Sequence, residues 1–239
     1  IGGGLAGCEA AWQLAQAGYA VFLYEMKPEQ YTPAHHYTGL AELVCSNSLK
    51  ADRLASAAGL LKAEMERLGS LLIPCARATA VAAGGALAVD RHRFSDLVTE
   101  HIQNHPNITI IQERVTALPK RCAVIATGPL TDGALAEDLE RQCGKRLSFF
   151  DAAAPIVSYE SLDPEKIFFA ARYDRGDADY INCPMDQETY TAFYQALIVA
   201  ERAPLHDCDK EFFRVYEGCM PIEVLASRGE DTMRFGPLK

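Results

Sequence analysis

The chain opens on Ile1-Gly2-Gly3-Gly4-Leu5-Ala6-Gly7, and this run restricts the fold more than anything after it. Gly2, Gly4 and Gly7 are spaced G-x-G-x-x-G. An alanine-rich helical run follows from Cys8 to Ala17, then a β-like run from Tyr19 to Tyr24 that ends in Glu25. Glycines, helix, strand and terminal acid in that order form the fingerprint of a dinucleotide-binding unit. Gly2 permits the tight turn, Gly4 lets a pyrophosphate approach the backbone, and Gly7 lets helix and strand pack closely. Gly3, Leu5 and Ala6 complete the loop. The helix N-terminus offers free N–H groups and a partial positive charge to phosphates. Glu25, 18 residues past Gly7, is placed to accept hydrogen bonds from a ribose hydroxyl. The competing reading is a glycine-rich loop without a ligand, and the four features in register outweigh it.

The rest of the chain bounds the class. A length of 239 residues allows one large or two ordinary domains, and a hydrophobic fraction of 49% allows a sizeable core. No apolar run reaches the ~18 residues of a membrane span. The net charge of −9 argues against wholesale wrapping by nucleic acid while leaving room for a local basic face. Eight cysteines are scattered, none in a C-x-x-C pair, so neither a zinc knuckle nor a dithiol redox motif is expected. No signal peptide is expected, and the thiols are expected to be free, in a reducing cytoplasm, most of them as small core residues. The strand expected before Gly2 is reduced to Ile1, and Phe235 to Lys239 reads as an interruption, so truncation at both ends is expected.

Residues 27 to 48 form a long irregular stretch with Pro28, Pro33, His35, His36 and Gly39, of the kind that is usually functional. A helix is expected near Ala57 to Leu68, with Leu61, Met65 and Leu68 as its buried stripe and Gly69 as its cap. Residues 71 to 89 read as short strands around a Gly84-Gly85 turn. Phe94, Leu97, Val98 and His101 have helical spacing, ended by His105-Pro106. Ile108 to Ile111 reads as a strand with Val115 to Leu118 as hairpin partner, and Cys122 to Ala126 as an apolar strand ending in a Thr127-Gly128 turn. Asp151 to Pro155 reads as a linker. Beyond it Ile156 to Tyr159, Ile167 to Ala170 and Tyr180 to Pro184 read as strands, and Glu188 to Ala200 as a helix. The predicted organisation is α/β: a Rossmann-like dinucleotide-binding domain over residues 1–150 and an inserted α+β domain over residues 151–239.

Two cysteines stand in polar surroundings. Cys45 sits in Val44-Cys45-Ser46-Asn47-Ser48 at the end of the long loop, and Cys219 in Glu217-Gly218-Cys219-Met220-Pro221-Ile222-Glu223. A thiolate is a good nucleophile toward an electron-poor carbon. Glu217 and Glu223 would raise the pKa of Cys219, so a cation or a helix N-terminus must assist from elsewhere. The alternative reading is two structural cysteines. No His, Asp and Glu set has metal spacing, so no metal is expected, and no G-x-S-x-G elbow suggests a serine hydrolase. Arg172, Arg175, Arg214, Arg228 and Arg234 are interleaved with Tyr173, Tyr180, Phe212, Phe213 and Tyr216. That mixture suits an RNA loop with splayed bases, or an ordinary surface over core aromatics.

Longer strings add a resemblance. Ile1 to Ala11, AELVCSNSL at 41–49, GGALAVDR at 84–91, IATGPLT at 125–131, RYDRGDADYINCPM at 172–185, EGCMPIEVLASRG at 217–229 and RFGPLK at 234–239 resemble, in order along nearly the whole chain, the folate- and FAD-dependent tRNA (uracil-5-)-methyltransferases. The glucose-inhibited-division type of tRNA-modifying flavoprotein is related through the FAD fingerprint. The resemblance implies FAD held by Gly2, Gly3, Gly4, Leu5, Ala6, Gly7, Glu25, Thr127 and Gly128, and reduced by NAD(P)H. Methylenetetrahydrofolate would supply one carbon, with FAD as its carrier and reductant. Cys219 would add to C6 of a T-loop uridine in tRNA, and Cys45 would act beside the flavin as the base at C5; the reverse assignment stays open. Lys50 follows SNSL where arginine is expected, which keeps the charge and loses the bidentate fork. The alternatives are the same chemistry on ribosomal RNA, a non-methylating NAD(P)H-dependent flavoprotein and an RNA-binding flavoprotein. NADH against NADPH and the oligomeric state are not legible.

Overall fold

The computed structural model describes residues 1–44, 46–144, 157–171, 177–201 and 222–234. Internal contacts divide the chain into two units, residues 1–147 with 171–179, and residues 148–170 with 180–239. In the first unit the elements run α1 (Leu5–Gln16), β1 (Val21–Glu25), β2 (Ser48–Ala51), α2 (Ala57–Arg67), α3 (Leu72–Ala78), β3 (Ala80–Val81), β4 (Ala86–Val89), α4 (Arg91–Gln103), β5 (Ile108–Gln112) and α5 (Gly133–Cys143). The second unit contributes β6 (Phe168–Ala170), β7 (Tyr180–Asn182), α6 (Gln187–Val199), α7 (Ile222–Ala226) and α8 (Glu230–Arg234). The architecture is α/β.

β1 and β5 pair in parallel, Val21 opposite Ile108 through Glu25 opposite Gln112. Ile1 and Gly2 extend this sheet on the other side of β1. The Gly2 N–H donates to Tyr24 O at 2.8 Å, the Ile1 amino group to Val124 O at 2.8 Å, and the Ala126 N–H to Ile1 O at 2.8 Å. Segment 122–126, expected as a strand, is therefore extended chain with a ladder only one residue long. The expected hairpin of Val115 to Leu118 does not form: residues 115–118 carry no strand, and among the described residues β5 pairs with β1 alone.

α1 covers the sheet with Cys8, Ala11 and Ala15, small residues that let it approach Leu23 and Ile108. Phe94, Val98 and Ile102 of α4 complete the same core at 0% exposure. Each such side chain contributes roughly 1.5–3 kcal/mol of transfer free energy. Asp90 starts α4 by accepting from the His92 and Arg93 N–H groups, both at 3.1 Å.

Three expectations for residues 57–78 are corrected or completed. α2 forms and Gly69 caps it with φ +78°, but two of the three residues of its predicted stripe face outward, Leu61 at 56% and Leu68 at 76% exposure, and Met65 is only half-buried. The buried face carries Gly59 and Lys62 instead. Arg53 O would stand 2.0 Å from a Cβ at Gly59, so the helix rests on backbone there. The Lys62 Nζ donates to Ala51 O at 2.9 Å and Ala58 O at 3.1 Å. Where strands were expected, Leu72–Ala78 is helix. Its Pro74 falls in the first turn, where no intrahelical N–H is needed. Its first amides are met by Glu9 of α1, which accepts from Leu71 N–H at 3.3 Å, Leu72 N–H at 3.1 Å and the Ser70 hydroxyl at 2.8 Å. The Gly84-Gly85 turn does join an antiparallel pair, β3 with β4, and β4 also pairs with β2.

In the second unit, β6 and β7 form an antiparallel pair, Phe168 opposite Asn182. Residues Tyr159–Ser161 are a 3-10 turn rather than part of a strand. Asp186 caps α6 by accepting from Thr189 N–H at 2.8 Å. Tyr190 of α6 is buried with Leu225, Ala226 and Met233, against which Tyr194, Leu197 and Ile198 pack. The Tyr190 hydroxyl donates to Glu230 O.

Candidate functional site

The glycine loop folds as its spacing demands. Gly2 has φ +99°, and a Cβ there would stand 2.5 Å from Ala126 O. A Cβ at Gly7 would stand 1.7 Å from Gly2 O, so the third glycine clears space for the turn made by the first. Gly4 differs: a Cβ there would meet nothing within 4 Å, so this face of the loop is open. Gly4 is the N-cap of α1 with no side-chain cap, and the first turn carries no acid. The first N–H of α1 in the helical ladder is that of Cys8, to Gly4 O at 2.9 Å. The N–H groups of Leu5, Ala6 and Gly7 thus point past an open glycine at the positive end of the helix, and could hold a pyrophosphate.

Glu25 stands at the carboxyl end of β1, 9% exposed. Its Oε2 accepts from Gly3 N–H at 2.6 Å and its Oε1 from Lys27 N–H at 2.9 Å. An ionised carboxylate has about four acceptor sites, so roughly two remain for ribose hydroxyls. Thr127 and Gly128 follow Ala126 at the same end of the sheet. The Thr131 hydroxyl donates to Gly128 O at 2.6 Å and shares a hydrogen bond with the Thr127 hydroxyl at 2.7 Å. Gly2, Gly7, Glu25 and the Thr127-Gly128 turn, far apart in sequence, are thus one constellation.

The irregular stretch before Cys45 is bolted to that constellation, which its composition alone did not reveal. The Ala41 N–H donates to Gly3 O at 2.8 Å, and the Cys8 thiol shares the same acceptor at 3.2 Å. Leu40 is held by α4: its N–H donates to Thr99 Oγ1 at 2.8 Å and its O accepts from Ser95 Oγ at 2.5 Å. Beneath lies a buried ion pair that sequence reading missed, Lys27 Nζ to Glu42 Oε2 at 3.2 Å, with side chains 5% and 10% exposed. Lys27 also donates to Tyr37 O at 3.0 Å and Gly39 O at 2.5 Å. Glu42 Oε1 accepts from His36 N–H at 2.8 Å and Tyr37 N–H at 3.0 Å. Burial pushes the Glu42 pKa up, but the His36 N–H, the Lys27 ammonium and the Tyr37 N–H outweigh it and hold the group below the usual glutamate range. The available signal was a lysine and a glutamate at the two ends of one loop.

Cys45 and Cys219 lie outside the described residues, as do Arg172, Arg175 and Arg214. After Cys45, Asn47 is anchored to β4: its Nδ2 donates to Val89 O at 3.0 Å and its O accepts from Val89 N–H at 2.9 Å. Lys50 is exposed with φ +66°. Most cysteines were expected in the core, yet of the five described only Cys8 and Cys75 are buried; Cys122, Cys143 and Cys183 are exposed. Burial pushes the Cys8 thiol up to about 12 and the Cys75 thiol to about 11. Among the described residues no cluster of three or more His, Cys, Asp or Glu could hold a metal ion, and no helix is long and apolar enough to cross a membrane. A groove of about 680 Å³ lined by Trp12, Leu71, Pro74 and Leu97 borders the C-terminal half of α1, away from the glycines.

Comparison with known proteins adds to this geometry. Residues 1–239 match the family model described as glucose inhibited division protein A. A protein of Shouchella clausii named methylenetetrahydrofolate–tRNA-(uracil-5-)-methyltransferase TrmFO is 57% identical over 240 residues, covering 100% of this chain and 55% of the relative. Proteins of the same name from Brevibacillus brevis and Geobacter sulfurreducens are each 56% identical, with 54% and 55% of their lengths covered. The chain spans about half the length of the curated relatives it matches.

Proposed function

The chain belongs to the glucose inhibited division protein A family, and from that premise we propose that the whole protein is a methylenetetrahydrofolate-dependent tRNA (uracil-5-)-methyltransferase. The observation that carries the reading is identity of 54–57% along the full chain to relatives that bear this name. The open, uncapped glycine loop beside a carboxylate with spare acceptor sites supports FAD as the cofactor.

In this reading the N–H groups of Leu5, Ala6 and Gly7 take the pyrophosphate beside Gly2, Gly3 and Gly4. Glu25 accepts from the adenosine ribose, and the Thr127-Gly128 turn walls the same end. When bound, FAD supplies the carrier for the carbon of methylenetetrahydrofolate and the reducing equivalents that complete the methyl group, with NAD(P)H as the source of electrons. The Cys219 thiolate adds to C6 of a tRNA uridine, which makes C5 nucleophilic. Cys45 removes the C5 proton once that carbon is bonded, and the Cys219–C6 bond breaks as the product forms. The Lys27–Glu42 pair and the Ala41–Gly3 hydrogen bond keep the loop before Cys45 against the cofactor loop. Such chemistry needs no metal and belongs in the cytoplasm, where tRNA and folate are met.

The test is covalent trapping. Full-length protein incubated with 5-fluorouridine-containing tRNA should form an adduct that Cys219→Ala abolishes. Absence of an adduct with the wild type, or its survival in both Cys219→Ala and Cys45→Ala, overturns the mechanism. An adduct with ribosomal RNA and none with tRNA would move the substrate.

A further inference from the structure

One guanidinium joins three loops at the rim of the glycine site. β1, β5 and the extended segment 124–126 run the same way, so their carboxyl ends lie side by side. β1 leads to Gln30, β5 to Arg114, and segment 124–126 to Asp132. Arg114 Nη1 donates to Gln30 Oε1 at 3.1 Å and Nη2 to Asp132 Oδ1. A Cβ at Gly133 would stand 3.3 Å from the same Nη2, so the guanidinium sits close against the turn that begins α5. In open parallel sheets ligands bind outside the carboxyl ends of the strands. Glu25, the ribose acid of the proposed site, is on this rim, tied to the β5 exit by Glu113 N–H to Glu25 O at 3.0 Å.

We infer that Arg114 is the outer wall of the adenosine subsite, a planar cation held by Gln30 and Asp132 to receive the adenine ring. The inference rests on the FAD reading above. A guanidinium is flat, permanently charged and suited to stacking on an aromatic face. Both of its partners are side chains on loops, and the Asp132 side chain is 77% exposed, so the pair adds little to folding. A residue that spans three loops without being needed for stability is better explained by what it presents to a ligand.

The test uses full-length protein with Arg114→Ala and Arg114→Lys, reading the dissociation constants of FAD and FMN by flavin fluorescence, with the melting temperature of the apoprotein as control. Arg114→Ala should weaken FAD about tenfold and leave FMN, which lacks adenosine, unchanged. Lysine keeps the charge without the plane and should recover less than half of the loss. Unchanged FAD affinity, equal weakening of FAD and FMN, or full recovery by lysine overturns the assignment. A wild type that binds no FAD would instead overturn the reading on which it rests.

Discussion

Gly3 donates its backbone N–H to Oε2 of Glu25 across 2.6 Å, in a place where a Cβ on Gly3 would itself stand 2.7 Å from that oxygen. The acid therefore holds the glycine loop directly through its backbone. Glu25→Ala should leave the Gly3 and Lys27 N–H groups without this partner, each at a cost of about 1–3 kcal/mol. Both denaturant stability and FAD retention should fall. Glu25→Gln keeps an acceptor oxygen and should recover part of the stability, measured by chemical unfolding, while FAD affinity stays low because one amide end donates instead of accepting.

Gly4 and Gly7 separate binding from folding. Gly4 has φ −74° and open space where a Cβ would sit. Gly4→Ala should change the unfolding free energy of the apoprotein by no more than a helix N-cap contributes, about 1 kcal/mol or less. The new methyl occupies the face proposed for the pyrophosphate, so FAD affinity should drop at least tenfold. Gly7→Ala places a methyl 1.7 Å from Gly2 O and should damage both the melting temperature and the affinity. Equal effects of the two substitutions on stability would contradict this division.

The legible parts of the chain are those whose causes are local. α1, α4 and α6 are read from the residues they contain, and the glycine spacing states its own turn. α3 was illegible because its capping acid, Glu9, is more than 60 residues away in sequence. The face of α2 was misread because a lysine took the buried side: carbonyls of Ala51 and Ala58 satisfy its ammonium, and the leucines were left outside. Periodicity gives the width of an apolar stripe but not what covers it. In the site, Glu25 and the glycines were readable from spacing. Lys27, Glu42 and the Ala41–Gly3 bond were not, since each needs the loop already folded. Cys45 and Cys219 were singled out by the strings around them, and their geometry lies outside the described residues.

Thiol chemistry gives a check on the packing around the glycine loop. Cys8, buried and pushed up to about 12, stays protonated at pH 7.5, and Cys75 at about 11 does the same. Iodoacetamide at that pH should modify exposed Cys122, Cys143 and Cys183 within minutes and leave Cys8 and Cys75 intact, as read by peptide mass mapping. In 6 M guanidinium all five should react alike, on the order of the rate of a free cysteine of pKa ~8.5. Early modification of Cys8 in the native protein would show that the α1 and Gly3 packing described above is wrong.

The Lys27–Glu42 pair predicts how the loop before Cys45 responds to acid. The Glu42 pKa is lower in the folded protein than in the unfolded chain, so its contribution is fully present above the unfolded value of about 4.3. That contribution is lost as pH falls through the folded value. Between about pH 5 and 3 the wild type should lose stability more steeply than Glu42→Gln, whose curve lacks this component. At pH 7, Lys27→Met strands a buried carboxylate and should cost about 3–5 kcal/mol, while the double variant Lys27→Met/Glu42→Gln should recover much of it. Hydrogen exchange should then report faster opening at Ala41, whose N–H is bonded to Gly3 O, in each single variant. If the double variant is no more stable than Lys27→Met, the ammonium acts through Tyr37 O and Gly39 O rather than through Glu42.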